Sequence, residues 1–197
     1  MKKLVVIAAV VVSAVLSAHA QGRITFASAG AGVAAQFRGS LQDPVYSNAP
    51  LTSAMSQFRA DLWWAPGTTT VGVADTDLVN QGGYAQSFSS VAAQAGYFTG
   101  GTKTVTGWSA GMIVAQVRVW DTSFGTFDNA RAQLGGSWFL SPIFTITPTL
   151  SPTPAPNLVG LGNPATFNLN YNIPEPATFA LAGLGGAALL ILRRRRS

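Results

Sequence analysis

Between residues 21 and 172 the apolar side chains fall into short runs of period two, and Gly or Pro interrupts each run. An extended strand turns successive side chains to opposite faces, so this pattern selects half-buried β-strands over amphipathic helices. The clearest run puts Phe58, Ala60, Leu62 and Trp64 on one face and Arg59, Asp61 and Trp63 on the other. Ile113, Ala115, Val117 and Val119 alternate with Gln116 and Arg118, and Phe167, Leu169 and Tyr171 with Thr166, Asn168 and Asn170. Shorter candidate strands cover residues 24–27, 34–38, 84–89, 103–108 and 138–147, with turn signals at Pro66-Gly67, Gly82-Gly83, Gly100-Gly101 and Gly135-Gly136. About eight antiparallel strands in one domain predict an all-β fold, an antiparallel β-sandwich, with a β-barrel as the alternative that uses the same pattern. One short helix is expected near residues 127–134, with Thr126 as N-cap, Asp128 in the first turn and Gly135 as the stop. Pro152, Pro154 and Pro156 make a stiff loop leading to a last strand.

Charge enters because the total misleads. The net charge of +5 suggests an anion-binding surface, yet residues 21–172 hold six bases (Arg23, Arg38, Arg59, Lys103, Arg118, Arg131) and six acids (Asp43, Asp61, Asp75, Asp77, Asp121, Asp128). The excess sits in Lys2 and Lys3 at one end and in Arg193, Arg194, Arg195 and Arg196 at the other. A neutral body with scattered bases supplies no patch for nucleic acid, and no nucleic-acid partner is expected. The chain has no Cys, and its one His, His19, lies in a segment expected to be removed. Thiol nucleophiles, disulfides, Cys/His zinc sites and imidazole-based triads are therefore excluded from the body.

At the N-terminus, Lys2 and Lys3 precede a run of Leu, Val, Ile and Ala over residues 4–16 broken only by Ser13, and Ala18 and Ala20 flank His19. Positive start, short apolar core and small-residue cleavage site, in that order, describe a secretory signal peptide over residues 1–20. Such a helix spans roughly 20 Å at ~1.5 Å per residue, short of a ~30 Å hydrocarbon core, so removal by signal peptidase after Ala20 is expected.

The C-terminus has three parts as well. Pro174-Glu175-Pro176 is held extended by its prolines, residues 177–192 carry no charge, and four arginines follow at once. The apolar stretch is expected to form a transmembrane helix, with the arginines as stop and orientation signal on the cytoplasmic side. This arrangement resembles the PEP-CTERM proteins, marked by a Pro-Glu-Pro triplet, a short transmembrane segment and a terminal arginine cluster. Pro174, Glu175 and Pro176 match the triplet; Ile173 stands where Val is commoner in the family. The resemblance covers residues 173–197 and implies a substrate of exosortase, a membrane protease-transpeptidase whose catalytic Cys is its own. It further implies cleavage at or near the triplet, a precursor anchored in the inner membrane, and delivery to the cell surface or polysaccharide-rich matrix of a Gram-negative bacterium. Gly96-Tyr97-Phe98, Val117-Arg118-Val119-Trp120-Asp121 and Leu158-Val159-Gly160-Leu161 are similar to pieces of uncharacterised β-rich proteins with such tails, to which no activity is attached.

Chemistry in the body would have to rest on carboxylates. Asp75 and Asp77 lie on one side of a segment read as extended, where a loop over residues 71–80 could hold Ca²⁺ with help from Asn80 and backbone carbonyls; solvated turn residues are the simpler reading, and no cofactor is expected. Trp63, turned outward opposite Trp64, is the candidate for stacking on a sugar ring. A non-enzymatic surface or matrix protein with structural or adhesive work is therefore expected. The alternative is a polysaccharide-binding module or a carboxylate-dependent glycan hydrolase.

Overall fold

The computed structural model describes residues 21–55, 57–80, 86–162 and 165–173. The expected signal peptide with Ala18 and Ala20, the triplet Pro174, Glu175 and Pro176, the apolar segment and Arg193, Arg194, Arg195 and Arg196 lie outside the described residues. Among the described residues no helix is long and apolar enough to cross a membrane.

The chain is mostly β. In order it forms β1 (Gly22–Ala27), β2 (Ala29–Gly30), β3 (Val33–Arg38), β4 (Phe58–Pro66), β5 (Val79–Asn80), β6 (Thr99–Val105), β7 (Ile113–Asp121), α1 (Phe127–Ala132), β8 (Ser137–Leu140), β9 (Phe144–Ile146), β10 (Ala165–Asn168) and β11 (Asn170–Tyr171). β1 pairs with β6; β3 lies between β10 and β2; and the largest sheet runs β11-β8-β7-β4-β5, with β9 also on β7. Among the described residues no sheet closes on itself, which removes the barrel alternative. The longest pairing joins β4 to β7, where Leu62 faces Val117 and Trp64 faces Ala115. Those are the two strands with the cleanest alternation.

One core is filled from every sheet. Ile24 and Phe26 of β1, Val33 and Phe37 of β3, Leu62 and Trp64 of β4, and Val117 and Val119 of β7 are all buried in it. The rings of Phe37, Phe88, Phe98 and Phe139 meet at centroid separations between 5.6 and 6.0 Å, within the range in which aromatic pairs attract.

Several expectations change in detail. β10 pairs with β3 in parallel, Phe167 beside Phe37, and the chain crosses at Leu169 so that β11 joins β8 antiparallel. The run over residues 138–147 splits into β8 and β9 because Pro142 has no N–H to donate. Residues 86–89 make only single bridges, at Gln86 and Phe88, and the start of that expected strand lies outside the described residues. The strand expected over residues 103–108 runs earlier, over β6. The helix keeps its Thr126 cap, whose side chain accepts from the Asn129 N–H, but ends at Ala132, before Gln133 turns extended. The proline loop runs along β1, where the Arg23 and Thr25 side chains donate to the Thr153 and Ala155 carbonyls.

Candidate functional site

The outer face of the largest sheet is covered. Arg59, Asp61 and Trp63 of β4 and Gln116, Arg118 and Trp120 of β7 point away from the main core; on this side α1 packs against β7 and the 3-10 turn Asp75–Asp77 meets Arg118, while β5 extends the sheet beside β4. Trp120, Phe127 and Ala130 form a second small apolar cluster there, with Phe124, Trp138 and Leu140 packed against it. Between this layer and the sheet opens a cleft of about 370 Å³, within the range that takes a small ligand. Trp63, Trp120 and Phe127 form its apolar walls; Asp61, Asn80, Thr126 and Asp128 supply its polar groups.

Asp61 is 3% exposed. Its Oδ1 accepts from the Leu62 N–H at 2.8 Å and its Oδ2 from the Asn80 side-chain amide at 2.8 Å. Burial pushes its carboxyl above the usual carboxylate range, against the opposing pull of those two hydrogen bonds and of Lys103. β5 exists largely to bring Asn80 here, since its two residues pair with Trp64 and Trp63.

Trp63 does line this cleft, but it does not stand free in solvent as the alternation predicts. The Arg118 guanidinium lies 3.7 Å from its ring centroid and covers one face. Its indole N–H is buried without a hydrogen-bond partner among the described residues. Arg118 is itself buried; its Nε donates to Gln116 Oε1 at 3.1 Å and another guanidinium N–H to the Asp75 carbonyl. Burial pushes its ionisation down, while Asp75 and Asp128 oppose that shift.

Asp75 and Asp77 do not form a paired site. The segment is a 3-10 turn, so their side chains diverge from the common side that an extended strand would give. Asp75 Oδ2 pairs with Arg131 at 2.7 Å, and that hydrogen bond holds its carboxyl below the usual range. Asp77 Oδ2 accepts from the Ala74 N–H at 2.8 Å, which caps the turn. Among the described residues no three His, Cys, Asp or Glu side chains lie close enough to hold a metal. The sequence points to Asn80 only as a helper in a Ca²⁺ loop and to Asp128 only as a helix-start residue, and it does not single out Asp61 as a site residue; the structure brings all three to this cleft.

At the other end of α1 the body closes on Asn172. Its side-chain amide donates to the carbonyls of Ala130 at 3.0 Å, Arg131 at 2.8 Å and Gln133 at 2.8 Å, and its Oδ1 accepts from Trp138 Nε1 at 3.1 Å. Its main chain is held too: the N–H donates to the Gly136 carbonyl and the carbonyl accepts from the Gly135 N–H. The last carbonyls of a helix lack intrahelical donors, and this amide serves two of them, at Ala130 and Arg131. Beyond it only Ile173 is described, half exposed.

Comparison with known families finds a match at this exit point. Residues 172–196 are a PEP-CTERM protein-sorting motif. The motif indicates exosortase-dependent sorting to the surface, through an exported precursor anchored in the membrane. It takes in the triplet, the apolar segment and the arginine cluster, and it begins at the residue that caps α1. No curated protein and no solved structure matches the chain.

Proposed function

We propose that the mature protein is a non-enzymatic surface or matrix protein, cut by signal peptidase at Ala20 and by exosortase near Glu175, whose body works by adhesion. The observation that carries the sorting half is the combination of triplet, uncharged segment and arginine cluster in 25 residues, 172–196. Replacing Glu175 by Gln tests it: an uncut precursor held in the membrane is expected, whereas processing at the wild-type rate would favour an ordinary anchor. The mature form, freed of both charged ends, should focus near neutral pH rather than near 10.1.

For the body we propose a β-sandwich whose adhesive site is the cleft beside Trp63, with a saccharide of the extracellular matrix as its partner. Three aromatic walls with two carboxyls, an amide and a hydroxyl suit a ring that is apolar on its faces and hydroxylated at its rim. Hydrolysis is the less favoured reading, because both oxygens of Asp61 already accept hydrogen bonds and a general acid needs one free to reach the leaving oxygen. A polysaccharide panel decides between them. Saturable binding that Asp128→Ala and Trp63→Ala abolish, with no new reducing ends, supports adhesion; released reducing ends would establish the hydrolase.

A further inference from the structure

The protease that reads the triplet must work against a folded edge. Asn172 lies two residues before Pro174, and four of its atoms are tied down: amide nitrogen, amide oxygen, backbone nitrogen and backbone oxygen. Two glycines make this fit possible. Gly135 turns the chain at φ +82°, and a Cβ on Gly136 would come within 2.0 Å of the Ala130 carbonyl oxygen. Just upstream, Tyr171 pairs with Ser137 and Asn170 with Trp138 on β8.

Proteases commonly hold the residues flanking the scissile bond as an extended strand paired to the enzyme. Here the residues ahead of the triplet already use those backbone groups within the body. Four residues separate Asn172 from Ala177, where the uncharged segment starts, so the five steps from one Cα to the other reach at most about 17 Å at ~3.4 Å per step. Little free chain remains for an enzyme whose active site is at the membrane.

We propose that Asn172 is a positioning residue for exosortase processing: it latches the segment ahead of Pro174 to α1 and β8, and cleavage proceeds through the fraction of molecules in which this latch is open. This rests on the exosortase reading above. The reaction breaks a peptide bond at or near the triplet, the new amine leaving with the arginine tail and the acyl group passing through the enzyme thiol to water or to an acceptor amine. When opening and closing are fast, the rate follows the population of the open form.

The test follows processing of the full precursor by pulse-chase in cells with exosortase, reading loss of the tail by intact mass. Six Gly/Ser residues inserted between Ile173 and Pro174 leave the latch, and the spacing from triplet to membrane, unchanged. Processing of that variant is expected to be roughly tenfold faster, because the triplet then reaches the enzyme without the latch opening, a requirement equivalent to ~1.4 kcal/mol. Asn172→Ala should accelerate processing similarly, and the two changes together no further, since both remove the same restraint. An insertion that leaves the rate unchanged or slows it, while Glu175→Gln still blocks cleavage, overturns the latch and leaves sorting intact. Cleavage of Glu175→Gln at the wild-type rate would remove the sorting reading and the latch with it. The insertion leaves the body's residues untouched, so it decides even where Asn172→Ala fails to fold.

Discussion

Phe127 is the residue on which the layer over the outer sheet depends, and replacing it by Ala gives the sharpest test of that layer. The ring is 3% exposed and stands at the first position of α1. Its centroid lies 6.4 Å from Trp63, 6.2 Å from Trp120 and 6.3 Å from Trp138, the last two nearly perpendicular at 87°. The Arg118 guanidinium sits 5.1 Å from its centroid. Removing a buried Phe side chain typically costs ~3–5 kcal/mol, set by how far the surroundings relax into the space. Here the main core is untouched and α1 is only six residues long, so it can settle inward. That places the expected loss near the low end, about 3 kcal/mol. For a domain of this size each kcal/mol lowers Tm by about 2–4 °C, so calorimetry on the exported mature form should find a drop of about 6–12 °C. Tryptophan emission should shift red in the native state, because three of the five tryptophans lose their shared neighbour. Saccharide binding through the cleft should go with it. Ile24→Val, in β1 of the other layer, is the control: a cost of ~0.5–1.5 kcal/mol with binding unchanged. A Tm shift under about 2 °C for Phe127→Ala, or an unchanged emission spectrum, would refute the buried aromatic layer.

Other consequences follow from the charged groups. Between the ordinary value of 3.8 and its raised folded value, Asp61 holds a proton in the native state that the unfolded chain has released, so stability falls as pH rises through that window. Asp61→Asn should flatten this part of a Tm-against-pH profile and raise Tm at pH 7; a lower Tm at pH 7 would show that the carboxylate is stabilising. Asp75 behaves oppositely: its pairing with Arg131 stabilises above 3.8 and is lost as pH falls through its lowered folded value. Because the pair is partly exposed, Arg131→Ala should cost only ~0.2–1 kcal/mol in a denaturant titration, less at high salt; loss of several kcal/mol would contradict a surface pair. Calcium or a chelator should leave the melting curve of the mature protein unmoved, since Asp75 and Asp77 already have protein partners; a calcium-dependent rise in Tm would return them to the loop reading.

The sequence made the strands legible wherever one face had to be apolar. β4 and β7 show this best, since each sets a row of Ala, Val, Leu or Trp against the main core. What alternation could not tell was whether the other face met water. Gln116 and Arg118 carry the letters of solvent-facing residues, yet both are buried, and their polar atoms are satisfied by the Ser141 and Asp75 carbonyls and by each other. A buried polar group with partners reads the same in sequence as an exposed one, so the covered face and its cleft stayed hidden. The partners are distant as well: Asn80 is 19 positions from Asp61, and Arg131 is 56 from Asp75. Nothing local announces the parallel pairing of β10 with β3 either, because a pairing partner so far along the chain leaves no periodic trace. The break between β8 and β9 does have a local signal, Pro142 itself, which donates no ladder hydrogen bond.

The placement of charge sharpens what kind of partner the body suits. Asp61 and Arg118 are buried, Asp43 is buried with its carboxylate accepting from Val45, Tyr46 and Ser137, and Asp75 and Arg131 neutralise each other. Three of the twelve charged groups in residues 21–172 are therefore buried and two more pair with each other at the surface, so the outside carries less free charge than the composition alone suggests. A surface of that kind gains little from a strongly charged partner, for which there is no complementary field. It is suited to a partner recognised by hydrogen bonds at short range and by apolar ring faces, and the cleft walled by Trp63, Trp120 and Phe127 offers both. The net excess of +5 belongs to the two ends of the sequence, and its larger, C-terminal share falls within the sorting motif rather than the body.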